Sequence, residues 1–342
     1  MQKKLSKGPL LDKKGHLKEA GFAYELVKAY NRPQIHASAL RIKEWDYLYI
    51  QTYHYGIGIV IADNGYMGLL SVTVMDFKAH TVHSKQKTVF MSKGDFNMPC
   101  STETGEITIA KKSIGMHIKY DKQVKTIKVY WPHFTNGHEF KCDITLDKLP
   151  HDSMVMAVPF DSKPTHFYYN QKILGMRAKG TLTLHEKTYT LADDALAMID
   201  FGRGVWPYKS NWYWGAAQGY QNNRLLALNI GHGFGNQKNA SEDMFFVDGK
   251  AHKLDRGTFN IPKNQRGKLE YMKEWEYQTE DQRLKVIFKP VLLRKDNTNL
   301  LVLKSCQNQV FGHYTGSVTL DGGEILHFKH LPGFAEVFKN RW

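Results

Sequence analysis

Cysteine is scarce in this 342-residue chain: Cys100, Cys142 and Cys306 stand far apart, with no C-x-x-C pair. That excludes a disulfide framework and suits reduced thiols in a cytoplasmic setting. No stretch approaches the ~20 apolar residues of a membrane-spanning helix. The basic segment 1–15 reaches Lys13 and Lys14 without the apolar core of a secretory signal, so a cytoplasmic protein is expected. There is no H-E-x-x-H, no G-x-S-x-G and no Lys-Ser/Thr phosphate loop, which argues against a zincin, a serine hydrolase elbow and a nucleotide site. His80 and His83 would face opposite sides of a strand. His133 and His138 flank the Asn136-Gly137 turn without a third ligand. Neither a metal nor a cofactor is therefore assigned.

Basic residues are plentiful. Lys and Arg total 47 against 33 Asp and Glu, a formal charge of +14, but they occur as singles and pairs without a run of five. No nucleic-acid-binding signature accompanies them, so no nucleic-acid partner is expected. Transient contact with an anionic membrane surface remains an expectation of this charge.

Period-2 alternation dominates the pattern. Segment 181–191 reads as a hairpin, and further strands are predicted over 47–52, 56–62, 68–77, 115–120, 126–131, 225–230, 284–293 and 316–320. Asp63-Asn64-Gly65, Asn136-Gly137, Asp248-Gly249 and Asp321-Gly322-Gly323 supply turn residues between them. Helical spacing is confined to 19–30 and 331–342, where two short helices are predicted. The fold class is mostly β, a sandwich or barrel, with a domain boundary placed at 195/196.

Three of the seven tryptophans fall within nine residues, Trp206, Trp212 and Trp214, close behind Asp200 and Arg203 and beside Tyr208. Trp212 and Trp214, two apart on a strand, share a face and suit an apolar pocket. Arg203 is expected to pair with Asp200 across the Gly202 and Gly204 backbone. The alternative is an aromatic core between two barrels, with the ion pair tying down a corner. Gly231, Gly233 and Gly235 alternate, so a Trp ring or a ligand can approach that backbone closely. His232 between them is an acid–base candidate.

The run Asp200-Phe201-Gly202-Arg203-Gly204-Val205-Trp206-Pro207-Tyr208, followed by Trp212-x-Trp214-Gly215, resembles the signature of the domain-of-unknown-function 2804 family. The segments 11–15, 43–47, 311–316, 333–336 and 341–342 resemble its opening and its ending. The order Asp200, Gly202, Trp212, Trp214 is more distantly similar to the lipocalin-like superfamily of carotenoid hydratases and tocopherol cyclases, with different spacing after the aspartate. That resemblance implies two lipocalin-like antiparallel β-barrels packed together, with apolar ligands bound inside or between them.

Three functions follow as expectations. The first is binding of an apolar, lipid- or isoprenoid-like molecule by Trp206, Tyr208, Trp212 and Trp214, with Tyr168 and Tyr169 nearby, Arg203 anchoring a polar head and His232 at the site. The second is a cofactor-independent hydratase, cyclase or isomerase with Asp200 as general acid and His313 or Glu336 as alternatives. The third is a structural or interaction role with no ligand.

Overall fold

The computed structural model describes residues 2–300 and 303–341. Apart from a three-residue 3-10 turn at Arg32–Gln34, its regular elements among these residues are all strands. They form two large antiparallel sheets. In the first, the order runs Thr81–Phe90, Met67–Asp76, Tyr55–Asp63, Ile42–Gln51, Leu196–Val205, Phe167–Leu184, His138–Asp147, Lys125–Thr135, Ile114–Asp121, Thr104–Lys111. The second runs Lys250–Lys253, Met244–Val247, Arg224–His232, Lys209–Gln221, Ile325–Arg341, Leu303–Thr319, Leu284–Leu300, Trp275–Thr279, Gly257–Asn260. The turn chemistry is as expected: Asn136 and Gly137, and likewise Asp248 and Gly249, all take positive φ.

Each sheet curls around its own apolar interior, giving two lipocalin-like barrels. Ile59, Ile107, Ile127 and Phe201 meet inside the first. Leu228, Trp275, Tyr314 and Val337 meet inside the second. The outer faces of the central strands pack on one another through Tyr49, Trp214, Phe311 and Phe334. Central strands are therefore buried on both faces, and their residues alternate between a barrel interior and the seam. In Leu196–Val205, Ala197, Ile199 and Phe201 point into the first barrel, whereas Met198 joins the seam.

Three expectations change. Leu196–Val205 pairs with Phe167–Leu184 and Ile42–Gln51, so it belongs to the first sheet. The crossing between sheets is made by Trp206-Pro207-Tyr208, ten residues beyond the predicted boundary. Segment 19–30 holds short strands at Gly21–Ala23 and Lys28–Ala29 instead of a helix. Its backbone is claimed by pairing with Met154–Pro159 and by exchange with Lys3 and Leu5, which outweighs a four-residue apolar spacing. The predicted helix 331–342 is the end of the strand Ile325–Arg341, Trp342 lying outside the described residues. A strand apolar on both faces loses its period of two, and Pro332 is tolerated beside an irregularity where His330 takes φ +54°.

Candidate functional site

The seam is not closed everywhere. At its centre a cavity of about 90 Å³ is lined by side chains of both sheets and of the segments joining their strands. Register explains its walls. In the first sheet, Lys172, Asp200, Tyr47, Val60, Ser71 and Gln86 lie opposite one another across six consecutive strands, and all six line the cavity. The second sheet contributes the row Trp214, Glu336, Gln309, Arg294 and the adjacent row Trp212, Phe338, Gln307, Asp296. Two residues along a strand return a side chain to the same face, so parallel rows face one chamber.

Charge is concentrated here. Asp200, Glu242 and Glu336 all reach the cavity, with one ammonium, Lys172, among them and Arg294 nearer the outside. Lys172 Nζ lies 2.7 Å from Asp200 Oδ1 and 3.9 Å from the centre of the Trp214 ring. Three carboxylates around one ammonium in a buried, aromatic-walled chamber cannot all remain ionised. Burial raises the pKa of Asp200 and of Glu242, opposed in both by Lys172. Glu336 is pushed up to about 8 by burial, although Trp212 and Lys172 oppose the shift. Its Oε1 accepts the Trp212 indole N–H at 3.0 Å and its Oε2 accepts the Gln309 amide at 3.2 Å. At neutral pH Glu336 therefore holds a proton.

The aromatic walls are held from behind. Trp214 donates to Asn229 Oδ1 at 2.8 Å, and Asn229 donates to the Glu242 carbonyl at 2.8 Å. Trp212 stacks on Phe338 with ring centres 4.4 Å apart. Gly231 is needed for the carboxylate: a Cβ there would sit 2.7 Å from Glu242 Oε1 and 3.0 Å from the Tyr213 carbonyl. Gly231→Ala is expected to displace Glu242 and cost about 1–3 kcal/mol, read as a lowered unfolding midpoint. An unchanged midpoint would mean that the carboxylate relocates freely.

Over residues 2–342 the chain matches the model of a family described as "Domain of unknown function (DUF2804)". The chain belongs to the DUF2804 family. No curated protein matches this DUF2804 chain in sequence. Among solved structures it is similar to a putative AttH from Nitrosomonas europaea, with 12% identity over 91% of this chain and 97% of that one and a TM-score of 0.53. It is also similar to CghA with Sch210972, with 10% identity over 88% of both chains and a TM-score of 0.53. At such identities the likeness establishes a shared two-barrel fold.

Of the residues singled out from the DUF2804 sequence, Asp200, Trp206, Trp212, Trp214 and Glu336 converge on the chamber, as does Tyr168. The others do not. Arg203 points into the first barrel and donates to Asp46 Oδ1 at 2.6 Å; it does not pair with Asp200, because neighbours in a strand alternate faces. Tyr169, on the opposite face from Tyr168, donates to the Lys28 carbonyl. Tyr208 is exposed on the crossover. His232 stacks on Tyr213 at 4.5 Å beside Phe259 of the second interior, and burial with Arg256 nearby lowers its pKa to about 4. His313 sits beside Tyr53 and His330, four residues along the strand from Gln309. What approaches Gly231 is the Glu242 carboxylate rather than a ligand or a Trp ring.

Sequence reasoning missed Lys172, Glu242, Arg294 and Gln309. Nothing local marks them: Lys172, Arg294 and Gln309 are placed by strand register and Glu242 by the segment just before Met244–Val247. Among the described residues no group of three or more His, Cys, Asp or Glu is arranged to hold a metal ion, and no helix is long and apolar enough to cross a membrane.

Proposed function

We propose that the seam chamber binds the unsaturated, apolar end of a small molecule and that Glu336 protonates it. The observation that carries this reading is the Glu336 carboxyl, buried in the wall of an aromatic cavity and held by Trp212 and Gln309, where burial pushes it up to about 8. In the step, the π pair of a carbon–carbon double bond takes the Glu336 proton, leaving a carboxylate and a carbocation. A water then adds and returns its proton to Glu336, giving hydration. Alternatively, a second double bond attacks and a neighbouring C–H yields the proton back, giving cyclisation or isomerisation.

Stabilisation of the cation falls mainly on carboxylates. One face of Trp214 is taken by Lys172, and Trp212 is covered by Phe338. The Glu336 anion left by the transfer, together with Asp200 and Glu242, supplies the negative field. Asp200, paired with Lys172, is a charge partner in this scheme rather than the acid. That CghA was crystallised with Sch210972 supports small-molecule binding on this fold as part of the same reading.

The test begins with native mass spectrometry of the purified protein and solvent extraction of whatever is bound. The extracted molecule is then incubated with enzyme in D₂O. The expected result is deuterium or water incorporation, lost in Glu336→Gln while that variant still binds. Equal turnover by Glu336→Gln would remove the acid from the scheme. Binding with no incorporation in either protein would leave a carrier.

A further inference from the structure

The chamber opens toward a second, polar space. A cavity of about 340 Å³ is lined by Val82, Ser84, Gln86, Leu293, Arg294, Lys295 and Asp296, and it shares Gln86, Arg294 and Asp296 with the chamber. Those shared residues place the two spaces side by side between Thr81–Phe90 and Leu284–Leu300. The inner compartment is small. An engineered apolar cavity of about 150 Å³ takes a benzene, so the inner space of about 90 Å³ suits the narrow end of a chain rather than a bulky ring system. The remainder of any ligand must lie in the outer compartment.

Arg294 stands where the two meet. Its side chain is largely buried, and its described contacts are long: Nη1 to Gln309 Oε1 at 3.4 Å and Nη2 to Asp296 Oδ2 at 3.5 Å. A guanidinium carries five N–H donors in a rigid fork, so this one keeps donors for another acceptor. The neighbouring Lys295 is exposed, and Asp296 is the one acid in the lining of the outer space. Asp296 offsets Arg294 only loosely in the outer compartment, with Lys295 exposed beside them, whereas the inner one carries an excess of acids.

Resting on the proton-transfer reading above, we infer that the ligand is an amphiphile with a carboxylate, held by Arg294 at the junction while its unsaturated tail enters the chamber. Arg294, Gln309 and Glu336 occupy successive strands in one register row. Two strand spacings put the backbones of the anchor and the acid roughly 10 Å apart across the sheet. A carboxylic acid with a double bond that far from its carboxylate spans the two spaces. The role of anchoring a polar head, expected of Arg203, thereby passes to Arg294.

The probes are 9-decenoic acid, whose terminal double bond lies about that far from the carboxylate, and 9-decen-1-ol, its uncharged counterpart. Binding to the full chain is followed at pH 7.5 by tryptophan fluorescence and calorimetry. The acid is expected to bind about tenfold more tightly than the alcohol. Arg294→Gln should abolish that preference with little effect on the alcohol, Arg294→Lys should keep part of it, and added salt should erode it in the wild type. Trp212→Ala should weaken both probes alike. Equal affinity of the wild type for both probes would overturn the anchor and leave the chamber standing, as would a preference that survives in Arg294→Gln. Failure of both probes to bind would overturn the chamber as well. If Arg294→Gln does not fold, the salt dependence and Arg294→Lys decide the matter.

Discussion

Arg203→Met is expected to destabilise the protein by on the order of 3–5 kcal/mol while leaving ligand affinity in the chamber unchanged in a folded preparation. Arg203 has no exposed surface. Its guanidinium donates to Asp46 at 2.6 Å and to the carbonyls of Pro99, Trp45 and Gly202 at 2.9–3.1 Å, and it lies 3.7 Å from the centre of the Phe201 ring. Asp46 is equally buried and otherwise accepts from Tyr120 at 2.7 Å. Methionine fills much of the volume but leaves a buried carboxylate and several carbonyls without their donor, and that loss dominates. Arg203→Met with Asp46→Leu should recover part of the stability, because the stranded charge goes too. Urea unfolding measures both. A single variant within about 1 kcal/mol of wild type would show that Asp46 is neutral or reached by water.

Glu336→Gln is expected to be the more stable protein above pH 8 and close to wild type near pH 4.5. The sign follows from proton linkage. Glu336 titrates at about 8 in the folded chain and near 4.5 in the unfolded one. Between those values the folded state holds a proton that the unfolded state has released, so wild-type stability falls as pH rises through this window and levels off above it. Glutamine has no such proton. The gap between the proteins should open across the same window to roughly 3–5 kcal/mol, with Asp200 and Glu242 acting the same way in both. Parallel stability curves for the two proteins would mean that Glu336 ionises normally. Activity depending on the acid form should be lost over the upper end of the same range, as pH passes about 8.

The β-rich architecture was legible because the peripheral strands alternate cleanly and their turns carry Asn-Gly and Asp-Gly pairs. The central strands were harder. Ile325–Arg341 is buried on both faces along its second half, so barrel-facing Ala335 and Val337 alternate with seam-facing Phe334, Glu336 and Phe338 without the apolar–polar period of a half-buried strand. Part of the site was visible for the opposite reason. Trp212 and Trp214 lie two apart on one strand, and that spacing alone places them on one face.

The partner of Asp200 could not be read in the same way. Sequence proximity favoured Arg203, three residues away, but an odd offset in a strand sends the two side chains to opposite faces. The actual partner, Lys172, is the cross-strand neighbour, 28 positions earlier in the chain. Gln309 and Arg294 are fixed in the same manner by strand register, which no local motif encodes.

The proposed proton transfer needs a carboxylic acid kept neutral in the seam, and the most direct test observes that proton. Carbon-13 labelling of the glutamate carboxyl groups and NMR titration from pH 4 to 10, in wild type and in Glu336→Gln, follows each side chain separately. The expected result is a resonance with a midpoint at about 8 that is absent from the variant. If every glutamate resonance removed by the substitution titrates below about 6, Glu336 is an ordinary carboxylate at neutral pH and the proposed proton transfer has no donor.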